Sequence, residues 1–237
     1  MISFRPELVR RQTIVERYLE ELFVEKSNYC ILQEAMRYSL LAGGKRLRPV
    51  LVMSFSEAVG GPVDEVLPAA CAIELVHTYS LIHDDLPCMD NDDYRRGKLT
   101  CHKAYGEDIA TLAGDALQAA AFRLLAEQPG DPAKILRCVH ILAQGAGEDG
   151  MVAGQILDLR GEKQMLDEIG SRRHLGKPIG SDIANGKSTF ITIHGIQECQ
   201  RLVEQETSKA LLALERGGFA TTEFIRTLSE LLVSRNH

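Results

Sequence analysis

The segment from Ala69 to about Leu86 constrains this 237-residue chain more than any other. It is apolar nearly all round, Pro68 opens it and Pro87 stops it. A helix with no polar face has to lie inside a protein, so the segment predicts a central, buried helix with the other elements packed around it. Its neighbours also read as helices. Residues 6–25 place Leu8, Ile14, Val15, Tyr18, Leu19 and Leu22 on or near one face. Residues 28–42 give a second helix, which stops at Gly43-Gly44. Pro49 suits a first turn, so a third helix runs from there to about Val59, and Gly60-Gly61-Pro62 is a turn. Further helices fall at about 107–127, 133–147, 150–160, 188–216 and 221–234, while 88–106 is polar and loop-like. No window keeps strand-like alternation for long. The expected fold class is therefore all-α, in a single domain spanning residues 1–237.

Charge and cysteine usage exclude some functions. The net charge is −6 and the pI about 5.7, without the basic stripe of a nucleic-acid binder. An anionic substrate remains compatible, because local cations and bound metal set the field in a cleft. The six cysteines form no C-x-x-C pair in a chain of this length, which fits reduced thiols and a cytoplasmic location. The segment MISFRPELVRRQ shows no signal-peptide pattern, and no apolar run is expected to reach membrane-spanning length.

Chemistry concentrates just past the apolar segment, in His83-Asp84-Asp85-Leu86-Pro87-Cys88-Met89-Asp90-Asn91-Asp92-Asp93-Tyr94-Arg95-Arg96-Gly97. A helix C-terminus already carries negative partial charge, so carboxylates bunched there need a cation. Hard oxygen ligands suit Mg²⁺, which takes one or two carboxylates together with phosphate oxygens. A continuous helix would set Asp84 and Asp90 about 120° apart around its axis. The break at Pro87 lets the chain bend back so that both can face one metal pair. Arg95 and Arg96 then offer guanidinium forks for diphosphate oxygens. Without this placement, such an acidic run reads as a solvated loop.

A second motif supports the first. Gly43-Gly44-Lys45-Arg46-Leu47-Arg48-Pro49 sets three cations and two glycines at a helix start, where free backbone N–H groups and the positive helix end favour an anion. Three cations suit a diphosphate better than a carboxylate. His77 lies two helical turns before Asp84 on the same face, with Ser80 between them. It is either a ligand-facing group or a satisfied core histidine.

Together these residues resemble the isoprenyl (polyprenyl) diphosphate synthase family. The segments that carry the likeness are GGKRLRP (43–49), ELVHTYSLIHDDLPCMDNDDYRRG (74–97), TCHKAYGEDIATLAGDALQ (100–118), GQILDL (154–159) and LGKPIGSDIANGKST (175–189). The spacer between Asp85 and Asp90 is similar to that of the bacterial farnesyl diphosphate synthases. The resemblance implies an antiparallel helix bundle around a central cavity. It implies Mg²⁺ held by Asp84, Asp85 and Asp90, with Arg95, Lys177 and Lys187 on the allylic diphosphate. Lys45, Arg48, His77 and Arg96 would bind isopentenyl diphosphate, and Tyr79 and Ser80 would limit chain length, with Tyr79 favouring fifteen carbons. The implied reaction is ionisation of the allylic diphosphate, attack by the isopentenyl alkene and loss of a proton, in a homodimer.

The sequence departs from the family at one place. The second aspartate-rich motif, D-D-x-x-D preceded by Phe-Gln, and the Lys-Thr pair upstream of it are incomplete. The chain passes from Gln164 to Met165-Leu166-Asp167, which looks like the tail of that motif. Against the family pattern several helices are missing there, whether unrecorded, deleted or misaligned at the junction. A true deletion leaves an alternative to the enzyme: a non-catalytic prenyl-diphosphate-binding or partner subunit. A terpene cyclase fits less well, because GGKRLRP would then be idle.

Overall fold

The structure is a computed structural model, and it describes residues 4–24, 30–160, 195–219 and 222–233. Ten helices are described: α1 (Phe4–Glu21), α2 (Cys30–Leu40), α3 (Leu47–Ala58), α4 (Val63–Asp84), α5 (Cys101–Tyr105), α6 (Glu107–Glu127), α7 (Pro132–Ala146), α8 (151–160), α9 (Ile196–Arg216) and α10 (Glu223–Val233). The only strands among the described residues are β1 (Tyr94–Arg95) and β2 (Lys98–Leu99), an antiparallel pair. The all-α expectation holds. The chain forms two compact units, residues 1–142 with 219–227, and residues 143–218 with 228–237.

In the first unit α4 packs on α6, α3, α1 and α2, which makes it the central helix. Ala70, Cys71, Ala72, Leu75, Val76, Tyr79 and Ile82 are buried along it. It starts earlier than Pro68 predicts, with Pro62 in extended conformation at its N-cap and Asp64 and Glu65 in its first turn. Those carboxylates complement the positive helix end, so the helix tolerates Pro68 one turn further in, where the bond to the Asp64 carbonyl is given up. The longer start has a second consequence. By length and composition α4 and α6 are both apolar enough to cross a membrane, contrary to expectation. Their apolar faces are spent on each other instead, and α4 carries the buried Glu74.

The close approach of α4 and α6 depends on Gly114. A Cβ there would fall on the imidazole of His83, whose Nε2 lies 3.1 Å from the Thr111 carbonyl oxygen and 3.8 Å from Asp115 Oδ1. Gly114→Ala gains about 1 kcal/mol of helix propensity, but displacing the ring costs about 1–3 kcal/mol. The expected net loss is up to about 2 kcal/mol in denaturant unfolding. In a His83→Ala background the same substitution is expected to stabilise, because nothing is then displaced. A loss in both backgrounds would refute this account.

At the other end of the unit, α1 docks through charge. Glu7 accepts hydrogen bonds from Arg10 (2.8 Å) and Arg11 (2.7 Å). Arg11 reaches Ser54 (2.9 Å) and Glu57 (2.5 Å) on α3 and lies 4.3 Å from the centre of the Phe224 ring. The hydrogen bond from Arg10, together with Arg11, outweighs burial and lowers the Glu7 carboxyl to about 2. A depressed carboxylate stabilises above its unfolded value of about 4.5 and loses that contribution as pH falls through about 2. Wild type and Glu7→Gln are therefore expected to differ by about 2–3 kcal/mol at neutral pH. The gap is expected to narrow from pH 4.5 downward; a gap that stays constant with pH would contradict this account.

In the second unit, α8 is largely exposed, with Val152, Ile156 and Leu157 in solvent. On α9, Val203 and Leu212 are also exposed.

Candidate active site

The carboxylate motif begins on the last residue of α4. Pro87 stops the helix and the chain turns back: the Leu86 N–H donates to the His83 carbonyl (3.2 Å) and the Asn91 N–H to that of Leu86 (3.1 Å). Asn91 takes a left-handed φ of 54°, which suits its short polar side chain. The Asp90 N–H then donates to the Asp84 carbonyl at 2.9 Å. One tight turn thus joins the backbones of Asp84 and Asp90, and both residues are half-buried.

Asp85 is held differently. It is buried, and Arg95 grips it with Nε at 2.8 and 3.0 Å and a terminal nitrogen at 2.6 Å. Burial raises its carboxyl above the ordinary value, against the pull of Arg95. Its oxygens are engaged by a guanidinium, so Asp85 braces Arg95 here. Among the described residues no three His, Cys, Asp or Glu side chains gather as a metal site. Asp84 and Asp90 still fit Mg²⁺, which needs only one or two protein carboxylates when phosphate oxygens complete its shell.

The stretch expected as a plain loop contains a hairpin. Arg96 (φ 54°) and Gly97 (φ 78°) form its two-residue turn, with Tyr94 opposite Leu99 and Arg95 opposite Lys98. Positive φ at both turn residues matches strand twist, and the Arg-Gly pair masks this, because Asn-Gly is the usual signal. The Tyr38 hydroxyl on α2 donates to the Leu99 carbonyl at 2.8 Å and anchors the hairpin. The hairpin aims neighbouring arginines at two places: Arg95 at Asp85, and Arg96 at the basic loop, where its Nη1 donates to the Gly43 carbonyl. The Arg96 guanidinium lies against Gly44, where a Cβ would come within 2.7 Å of it and push it aside; the φ of 138° is what favours glycine there.

Next to this contact is a cleft of about 500 Å³ lined by Gly44, Lys45, Arg48, Glu74, His77 and Arg96, among others. Lys45 and Arg48 are exposed at its edge. Burial lowers the His77 imidazole to about 4, helped by Arg48, Arg96, Arg95 and Arg46, so it is neutral at physiological pH. The third expected cation is withdrawn: Arg46 is only 2% exposed and is bound by Glu16 and Glu74. The cleft therefore offers Lys45, Arg48 and Arg96 to an anion. Tyr79 is buried on α4, and its hydroxyl accepts from Gln118 Nε2 on α6 (3.2 Å). The Ser80 hydroxyl folds back on the His77 carbonyl (2.9 Å). Lys177, Lys187 and the Gln164–Met165 junction lie outside the described residues.

Comparison with known proteins decides what scaffold this is. The family model of the polyprenyl synthetases matches residues 30–168, more than half of the chain. The chain belongs to the polyprenyl synthetase family. It is 35% identical to the farnesyl diphosphate synthase of Micrococcus luteus, over 86% of this chain and 89% of that protein. It is 55% identical to the large subunit 1 of the heterodimeric geranylgeranyl pyrophosphate synthase of Arabidopsis thaliana, over 59% of this chain. That match takes in only 38% of the plant protein, so the chain spans about two fifths of it. Among solved structures, an FPP/GFPP synthase from Zymomonas mobilis superposes with a TM-score of 0.82 at 32% identity, covering 98% of this chain and 99% of that one.

One number separates this polyprenyl synthetase from its relatives. The Micrococcus luteus alignment runs over 264 residues, while 86% of 237 residues is about 204. About 60 aligned positions of the relative thus have no counterpart here. The alignment to the farnesyl diphosphate synthase of Geobacillus stearothermophilus behaves alike, with 288 residues against 95% of this chain, about 225 residues.

Proposed function

We propose that this chain is a Mg²⁺-dependent trans-prenyltransferase that condenses an allylic diphosphate, dimethylallyl or geranyl, with isopentenyl diphosphate to give farnesyl diphosphate and diphosphate. The observation that carries the reading is the pairing of two differently charged sites within one compact unit. A carboxylate turn at the foot of α4 suits a metal-bound diphosphate, and a cationic cleft beside His77 suits a second one. Mg²⁺ bound by Asp84 and Asp90 would neutralise charge on the departing diphosphate. Asp85 holds Arg95 ready for the same diphosphate. Lys45, Arg48 and Arg96 take the diphosphate of isopentenyl diphosphate, and neutral His77 donates a hydrogen bond to it without adding charge. Lys177 and Lys187 belong to this reading through the family resemblance. Product length rests on Tyr79 and Ser80, and relatives named as farnesyl and as geranylgeranyl synthases both match the chain. A single catalytic domain, a homodimer and a cytoplasmic location with reduced thiols complete the proposal.

A second reading is favoured by the roughly 60 positions found in relatives and not here. We place that gap at Gln164–Met165, inside the second aspartate-rich motif. Apolar side chains stand exposed at Leu136 and Ile141 on α7 and at Ile156 and Leu157 on α8, as a shortened helical fold would leave them. A chain lacking that motif binds prenyl diphosphates without turnover, as a partner subunit would. Purified protein supplied with geranyl and isopentenyl diphosphates and Mg²⁺ separates the readings. Diphosphate release with a fifteen-carbon product supports the enzyme. Mg²⁺-dependent binding of geranyl diphosphate without release supports the second reading, and no binding refutes both.

A further inference from the structure

We propose that Arg46 is a positioning residue for the diphosphate cleft, holding Lys45 and Arg48 in place while its own charge is spent elsewhere. The inference rests on the anion-binding role proposed for the basic loop. Arg46 is tied to three helices. Its Nε and Nη2 meet Glu16 on α1 at 2.8 and 3.2 Å, its Nη1 meets Glu74 on α4 at 2.8 Å, and Nη2 also meets the Leu40 carbonyl at the end of α2 at 2.7 Å. A cation at a helix C-terminus is favourable, so the Leu40 contact also caps α2.

Stability alone gives no reason for such a trio. Buried ion pairs replaced by apolar groups of similar volume are often neutral or stabilising. The backbone of Arg46 is also strained, with φ 45° and ψ 34° in the left-handed region, directly before the first turn of α3. That kink separates exposed Lys45 from exposed Arg48, and both line the cleft. Glu74 lines the same cleft and would repel a diphosphate if left unneutralised, and Arg46 supplies that neutralisation. One guanidinium thus fixes the loop and silences the acidic wall. Lysine cannot replace it, because an ammonium lacks the planar fork that spans Glu16, Glu74 and Leu40 at once.

The test uses inorganic diphosphate with EDTA present, so that only the cationic cleft is read, by isothermal titration calorimetry. Arg46→Met/Glu74→Met removes both buried charges with little change of volume. It is expected to keep the wild-type unfolding midpoint while weakening diphosphate binding at least tenfold. Arg46→Lys is expected to lose about threefold to tenfold, and it decides the matter if the double variant does not fold. Wild-type affinity in a folded variant overturns the positioning role alone. A wild type that binds no diphosphate overturns the anion site and with it the proposed function.

Discussion

Replacing Arg46 with alanine is expected to lower the unfolding free energy of this chain by about 3–5 kcal/mol. The size follows from what remains behind. Glu74 is 2% exposed and would keep its carboxylate in the interior without a cation, and the Leu40 carbonyl would lose its donor. Glu16 is partly solvated and can turn to water, so it adds little. The loss is therefore mainly the desolvation of one stranded charge. With no tryptophan in the chain, far-UV circular dichroism during urea unfolding is the suitable readout. The contrast with Arg46→Met/Glu74→Met is the telling comparison, because that pair deletes both charges together. Equal destabilisation by the single and double changes would show that lost packing, not a stranded carboxylate, sets the cost.

Asp84→Ala is expected to weaken Mg²⁺-dependent binding of geranyl diphosphate by at least about a hundredfold, and to reduce any diphosphate release by a similar factor or more. Asp84 and Asp90 sit at the two ends of one turn, closed by the 2.9 Å bond from the Asp90 N–H to the Asp84 carbonyl. That bond uses main-chain atoms, so the substitution removes a carboxylate and leaves the turn standing. Binding of inorganic diphosphate in EDTA is expected to stay within about twofold of wild type, because the cationic cleft does not use Asp84. Asp85→Asn is expected to act differently: it loosens Arg95 and costs stability, since the pair is buried on the Asp85 side. If Asp84→Ala leaves Mg²⁺-dependent binding unchanged, the carboxylate turn is not the metal site.

The absence of about 60 aligned positions bears on both experiments. A reaction that forms a charged allylic centre needs groups around it on several helices, whereas binding needs only the carboxylate turn and the cleft. Asp84→Ala is therefore informative even in a chain that binds and does not turn over.

Much of this protein was legible in its residues taken in order. Helical periodicity and the prolines and glycines locate most of the described helices to within a turn or so, but Pro68 points to a later start than the Val63 of α4, and α5 lies in the stretch expected as a loop. Pro87 announced the break that brings Asp90 back to Asp84, because a proline's effect on its own turn is local. Packing decided the rest. That Asp85 faces Arg95 while Asp84 and Asp90 share a turn depends on a two-residue hairpin with an uncommon Arg-Gly pair. That Arg46, one of three neighbouring cations, is buried while Lys45 and Arg48 stay exposed depends on Glu16 and Glu74, 30 and 28 residues away. Sequence specifies such partners only through the fold, since a charge's Coulomb partner is whatever the packed helices set beside it. The chain alone determined which chemistry was present and roughly where; the tertiary structure determined which charges face a ligand and which hold the others in place.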